Sequence, residues 1–301
     1  MKVYKISVES PYPVIQPVNL FLLAGNDLIL IDSGDGTSYS MKKLSDGLER
    51  LGFDLSDISM IINTHEHIEH FGGNAAIKEV SGAEILAHRL AIPFIEDMRN
   101  QVTPENELKD LPVEVSQFVK IRSEMYKDLK TARVDTGLED NAIPVGDFIL
   151  RIIHTPGHAR GHICIYEEEE GTLFTGDLIT GKGTPYVGAL PSQYGDMADF
   201  LDSLRRIKDL RIRRLLPSHG EELKDPYKRI EETMQSKLRR ERKVLQVLDK
   251  GKSLSEIVDL TYEERVLPYF AYGEVLAYLE KLMNEGRVKK NERYELVVKS
   301  N

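Results

Sequence analysis

Cysteine is almost absent from this chain. Cys164 stands alone among 301 residues, so no intramolecular disulfide, cysteine-rich zinc site or paired-cysteine redox motif can form. Any metal must be held by His, Asp and Glu. Tryptophan is missing altogether. No apolar run approaches the roughly 18 residues of a membrane span, and the opening MKVYKISVESPYPVIQ lacks the basic start and apolar core of a signal peptide. A cytoplasmic protein without membrane contact is the expectation. An excess of positive charge is lacking too: 49 acidic against 40 basic side chains leave a formal net charge of -9, which argues against a surface that is wholly a nucleic-acid footprint. With 41% hydrophobic and 30% charged residues, the composition is that of a globular chain forming one large domain or two smaller ones.

Short β-branched and apolar runs at Val3 to Val8, Asn19 to Ala24 and Leu28 to Asp32 predict strands, and Met41, Leu44, Leu48 and Leu51 mark a helix after the turn-rich Ser33-Gly34-Asp35-Gly36. Ile58 to Asn63 reads as a buried strand, and the histidine-rich segment begins where it ends. The rhythm returns at Phe148 to His154, His162 to Tyr166, Thr172 to Thr175 and Arg214 to Pro217, with a helix over Asp196 to Ile207. Strands interleaved with helices point to a layered α/β domain. Residues Pro93 to Asn141 are polar and helix-favouring, with Val113, Phe118, Ile121, Met125 and Leu129 at helical spacing. They read as a helical insertion, either a lid or a solvated helical pair. From Asp225 the pattern changes to a long helix up to Leu248, shorter ones at Ser253 to Leu260 and Ala271 to Gly286, and a hairpin over Val288 to Val298 turning at Asn291-Glu292. Residues 1–224 and 225–301 are thus read as two domains, the second small and winged-helix-like.

Six of the eight histidines fall in two clusters: His65, His67 and His70 in Thr64-His65-Glu66-His67-Ile68-Glu69-His70, and His154, His158 and His162 in the segment 154–162. Asp177 in Thr175-Gly176-Asp177 and His219 in Ser218-His219-Gly220 follow, each just after a predicted strand, so all open onto one sheet edge. Residues two apart on extended chain point the same way, which lets His65 and His67 address one ion. Three neutral imidazoles leave a divalent ion with a position for water, whose pKa the metal lowers to about 7. A carboxylate such as Asp177 suits a bridge to a second ion.

The HxHx(D/E)H segment, TPGH at 155–158, TGD at 175–177 and SHG at 218–220, separated by 88, 19 and 42 residues from His70 through His158 and Asp177 to His219, together resemble the metallo-β-lactamase superfamily. The resemblance covers roughly residues 19–219. It implies a four-layered αβ/βα sandwich with the metals at one edge of two facing sheets. It further implies His65, His67 and His158 as ligands of a first metal, Glu69, His70 and His219 as ligands of a second, and Asp177 between them. Asp32 matches an Asp that braces the ligand loop, and His162 matches a residue behind the ligands. His88 and His154 are read as structural. One departure is plain: Glu69 stands where the family usually has Asp, at the position that also orients the attacking water, and its longer arm either reaches the metal by a rotamer change or weakens the second site. Zinc is the default ion, two per chain if both positions fill, with iron or manganese using the same donors.

The TPGHxxGH and TGD pairing is similar to glyoxalase II-like thioesterases and to lactonases, which implies hydroxide attack on an ester, thioester or lactone with Glu69 as the catalytic residue. Lys182, Tyr186 and Tyr194, in the segment after Asp177, are candidate substrate contacts. The C-terminal pattern resembles the β-lactamase-like protein 2 group, some of whose members cleave single-stranded RNA, so a metallo-endoribonuclease or phosphodiesterase is the second reading and a non-catalytic metal-binding protein the third. Residues 222–301 carry 17 basic against 15 acidic side chains, residues 1–221 carry 23 against 34. Yet the helix over Ala271 to Gly286 is read as showing Glu274, Tyr278, Glu280, Lys281 and Glu285 outward, a poor surface for phosphate. The basic run Lys237 to Lys243 is the better candidate. The tail is expected to pack beside the active site or to form a homodimer contact.

Overall fold

The computed structural model describes residues 2–12, 15–109, 111–126, 128–145, 148–191, 193–248, 251–262 and 266–297. Val298 of the expected hairpin, and Asp110 and Lys127 of the insertion, lie outside the described residues. In chain order the first sheet holds β1 (Lys2–Val8), β2 (Val18–Ala24), β3 (Leu28–Ile31), β4 (Met60–Ile62), β5 (Glu84–His88) and β6 (Thr136–Leu138), adjacent in that order. The pairs β1–β2 and β2–β3 are antiparallel, and β3 to β6 run parallel. Helices α1 (Ser38–Glu49), α2 (Ile68–Phe71) and α3 (Asn74–Ser81) make the crossovers, and the insertion between β5 and β6 holds α4 (Ile92–Glu96) and α5 (Val113–Tyr126). The second sheet takes β7 (Ala142–Val145), β8 (Phe148–His154), β9 (Ile163–Glu167), β10 (Thr172–Gly176) and β11 (Arg214–Pro217), adjacent in order, with α6 (Met197–Lys208) crossing from β10 to its parallel neighbour β11. Helices α7 (Pro226–Val247), α8 (Leu254–Thr261) and α9 (Pro268–Asn284) and the hairpin β12 (Val288–Lys290) and β13 (Tyr294–Leu296) complete the chain.

The period-2 geometry of strands sorts the apolar residues into layers. Phe21, Leu23, Ile29, Ile31 and Ile62 of the first sheet meet Leu150, Ile152, Ile163, Ile165 and Phe174 of the second. Their neighbours Leu20, Leu22, Leu28, Leu30 and Ile61 point the other way, onto Leu44 and Leu48 of α1 and Ile77 of α3. On the far side Ile153, Cys164, Leu173 and Leu215 pack under Phe200 and Leu204 of α6. Both faces of both sheets are covered, which is why these strands read as continuous apolar runs. The result is the expected mixed α/β sandwich.

Two expectations need correction. The insertion was expected to be helical through Asn141, but Thr136–Leu138 pairs with Leu86–His88 as β6; Gly137 at its centre gives no strand signal. The outward face of α9 is also different. Tyr278 is fully buried, Glu274 is buried against Lys237 and Tyr262, and Lys281 pairs with the buried Glu241 at 2.7 Å. The reason is that α9 is enclosed on several sides, contacting α5, α6, α7 and α8. Its residues Val275, Leu279 and Leu282 join Ile230 and Val244 of α7 in the same apolar cluster as the outer face of the second sheet. Lys237 is likewise buried and bonds the Pro185 carbonyl and Glu274, so the basic run does not present it to solvent.

Gly273 in α9 is needed for close approach, because a Cβ there would lie 1.9 Å from the Tyr186 hydroxyl. Gly273→Ala is expected to lower stability by about 1–3 kcal/mol through overpacking, read as a shift in urea midpoint. Adding Tyr186→Phe, which removes the clashing oxygen, is expected to restore part of the loss; no recovery would place the cost elsewhere.

Candidate metal centre

The site residues gather at the strand ends, with His70 one step further on in α2. His65 and His67 follow β4, His158 lies in the turn from β8 to β9, Asp177 follows β10 and His219 follows β11. The segment after β4 is bent rather than extended, so the rings of His65 and His67 do not project in parallel. They converge by using different nitrogens: His65 Nε2 is 3.1 Å from His67 Nδ1, which is 3.0 Å from His158 Nε2. Asp177 Oδ2 lies 3.5 Å from His158 Nε2, 3.5 Å from His219 Nε2 and 3.8 Å from His70 Nε2.

Four of the five rings are held from behind. His158 Nδ1 donates to the Tyr186 carbonyl at 2.7 Å and His219 Nδ1 to the Pro17 carbonyl at 2.8 Å. A carbonyl only accepts, so Nδ1 carries the proton and Nε2 is left bare toward the site. Asp32 braces two more rings. Its Oδ2 accepts from His70 Nδ1 at 2.8 Å and from Thr64 Oγ1 at 2.9 Å, while Thr64 Oγ1 lies 3.0 Å from His65 Nδ1. The hydroxyl donates to Asp32, so it accepts from His65, whose Nε2 is thereby freed. His162 is not among the converging rings: its Nε2 accepts the Asp177 backbone N–H at 3.0 Å and its Nδ1 meets Thr155 Oγ1 at 2.8 Å. It therefore positions the Asp177 loop. Gly176 makes room for it, since a Cβ there would lie 2.6 Å from His162 Nε2.

The charge states fit a cation site. Burial, reinforced by neighbouring imidazoles, pushes His65 and His67 well below the ordinary histidine value, and burial lowers His158 against the opposing pull of Asp177. These rings are neutral, the form that binds metal. Burial alone would raise Asp177, but His219, His70, His158 and His67 around it hold its carboxyl well below the usual carboxylate range. His70 differs: burial pulls it down, yet Asp32 and Asp177 together raise it to about 9.

Among the described residues, the ligand atoms that lie within 4.8 Å of one another form two groups, His65 with His67 and His158, and His65 with His70 and Asp177. Buried His70 Nε2 and Asp177 Oδ1 have no hydrogen-bond partner, and the bare Nε2 atoms of His65 and His158 both point at His67 Nδ1, a convergence of acceptors that a proton on His67 or a cation satisfies. The residues fit a divalent ion. Glu69 and His219 fall outside both groups, although His219 faces Asp177 and the half-buried Glu69 lines the same cavity.

That cavity, about 480 Å³, is lined by His67, Glu69, His158, Asp177 and His219, and by side chains of α5 and α9. Of the candidate substrate contacts, Lys182 and Tyr186 line it. Tyr194 does not: its ring lies under the Arg160 guanidinium at 3.9 Å and beside Phe94 at 5.3 Å. His88 and His154 stack on each other at 3.9 Å, with His154 Nε2 on the Arg160 carbonyl. Sequence reasoning missed Glu66, whose buried carboxylate accepts the Gly161 N–H at 3.1 and 3.2 Å and so ties the two histidine segments together. Nothing in its local pattern distinguishes it from a solvated acid.

Metal binding at His70 Nε2 must displace the proton that Asp32 and Asp177 stabilise there. His70 is expected to contribute about one released proton per chain near pH 7.5, a contribution that vanishes as the pH rises through 9 and the ring is already neutral, beside the proton given up by the metal's own water. Calorimetric zinc titrations in two buffers of different ionisation enthalpy measure it; equal apparent enthalpies at pH 7.5 would contradict the assignment.

Fold and site together define a sandwich whose edge carries His and Asp clusters able to hold a metal. The chain belongs to the metallo-beta-lactamase superfamily, whose family model matches residues 14–219. It is 29% identical over 297 residues to the beta-lactamase-like protein 2 homolog of Caenorhabditis elegans, covering 95% of this chain and 86% of that one. It is 26% identical to the atrochrysone carboxyl ACP thioesterase of Aspergillus fumigatus over 82% of this chain and 48% of that protein. The crystal structure of a metallo-beta-lactamase family protein from Thermus thermophilus matches with a TM-score of 0.76 and 28% identity, over 98% of each chain.

Proposed function

We propose that the protein hydrolyses an ester, thioester or lactone, with His65, His67 and His158 holding one divalent ion, zinc by default, and His70, His219 and Glu69 a second, Asp177 lying between. The carrying observation is Asp177 Oδ2 facing His70, His158 and His219 beside the His65–His67–His158 group, at the floor of a cavity whose walls are largely apolar. The bound metal supplies a Lewis acid and an acidified water. Glu69 would orient the attacking water and take its proton. As water oxygen bonds to the acyl carbon, the carbon–oxygen or carbon–sulfur bond breaks and the leaving group receives the proton. Lys182, exposed and lining the cavity, meets the leaving group in this reading. The thioesterase named among the relatives supports the acyl reading.

Cleavage of RNA is the weaker reading. A nucleic-acid strand needs an open basic groove, whereas this cavity is bordered by Phe118, Met125, Tyr269 and Phe270 and Lys237 is engaged by Glu274. The test is a thioester and ester panel: chelation is expected to abolish hydrolysis and zinc to restore it. Activity that survives exhaustive chelation would overturn the proposal.

A further inference from the structure

We infer that the substrate carries a bulky, ring-bearing apolar acyl group, recognised by an aromatic cage that the insertion and the C-terminal helices build jointly over the metal centre. This rests on the hydrolase reading above and specifies its substrate.

Four rings form the cage. Phe118 of α5 packs on Tyr269 of α9 at 4.5 Å, Tyr186 meets the edge of Phe270 at 5.0 Å and 85°, and Tyr269 and Phe270 are 5.1 Å apart. All four line the cavity whose floor is His67, His158, Asp177 and His219. The phenol groups are engaged elsewhere: Tyr186 donates to Gln193 Oε1 at 2.8 Å, and the Tyr269 hydroxyl receives Gln193 Nε2 at 2.6 Å and Arg122 at 3.1 Å. What these tyrosines offer a ligand is therefore ring surface. Glu274, the acid on this wall, is matched by Lys237 and Tyr262, so it sets up no demand for a cationic ligand. Aromatic faces and edges favour another flat ring over a short acyl group. A volume of about 480 Å³ lies in the range that encloses ligands of drug size, far more than an acetyl group fills. Because the metal residues and the cage share one cavity, an acyl carbonyl at the metals places its substituent among the rings.

The test compares the 2-naphthoyl and acetyl thioesters of N-acetylcysteamine with the zinc-loaded full chain. The 2-naphthoyl thioester is expected to have a kcat/KM at least about tenfold higher, and Phe270→Ala and Phe118→Ala are each expected to lower that ratio by about tenfold. Two variants guard against one that fails to fold. In parallel, calorimetry with the metal-free full chain is expected to show 2-naphthoate binding at least about tenfold tighter than acetate, a preference lost in the same variants. Turnover of both thioesters without preference would overturn the inference and leave the hydrolase reading intact. No turnover, with naphthoate still bound through Phe118 and Phe270, would do the reverse. Equal weak binding of both acids would also overturn it.

Discussion

Asp177→Asn is expected to lower kcat/KM for thioester hydrolysis by about a thousandfold or more while the fold remains. The carboxylate lies 3.5–3.8 Å from His70, His158 and His219 and carries negative charge into a ring of nitrogen donors. The substitution keeps the side-chain shape and leaves the backbone N–H of residue 177 on His162. The loop therefore stays in place, and the change isolates charge. Elemental analysis of the same preparation is expected to show less metal per chain than the parent. Lost turnover and lost metal, with a melting temperature matching that of the metal-free parent, support the assignment; activity within about tenfold of the parent would refute it.

The second large effect is on stability. Asp32→Ala is expected to cost about 3–5 kcal/mol, measured by urea unfolding of the metal-free protein, because it breaks a buried charge network. The Asp32 side chain is fully buried and accepts from Thr64 N at 2.7 Å, Thr64 Oγ1 at 2.9 Å, His70 Nδ1 at 2.8 Å and Ser218 Oγ at 3.3 Å. Alanine leaves all four donors without an acceptor. It also places a residue that avoids the left-handed region at φ 61°, where Asp and Asn are better tolerated. Asp32→Asn keeps an acceptor and the backbone preference, so it is expected to recover part of the loss. A loss below about 1 kcal/mol for Asp32→Ala would show that the network is not a principal support of this edge.

These two residues differ in how plainly the sequence announces them. Asp177 follows an apolar run ended by Thr-Gly-Asp, and the histidines cluster at strand ends, so strand periodicity located the site edge. Asp32 also ends a strand, but only tertiary contacts reveal that it reaches both Thr64 and Ser218. Strand β5 went unread, and β6 and β7 each carry at their centre a residue that strands disfavour, Gly137 and Pro144. Tyr194 is a candidate only because it lies in the segment after Asp177; at a positive φ of 56°, its ring meets Arg160 and Phe94 instead. The burial of Glu274 and Lys237 was hidden for a different reason. Charge normally marks the solvent face of a helix, and their reciprocal pairing exists only once α7 and α9 are side by side.

The hydrogen bonds behind the metal-facing rings have a consequence in entropy and rate. His65, His70, His158 and His219 are each fixed through Nδ1 by protein acceptors, namely Thr64, Asp32, the Tyr186 carbonyl and the Pro17 carbonyl. Folding alone orders these rotamers, so an arriving ion does not have to gather four freely rotating side chains, each of which costs about 0.5–1.5 kcal/mol to immobilise. Capture is then governed by how quickly the ion sheds its water and how quickly His70 yields its proton. The same rigidity limits how far the rings can spread for a larger ion, so selection among metals acts through fixed nitrogen positions rather than through adjustment of the chain.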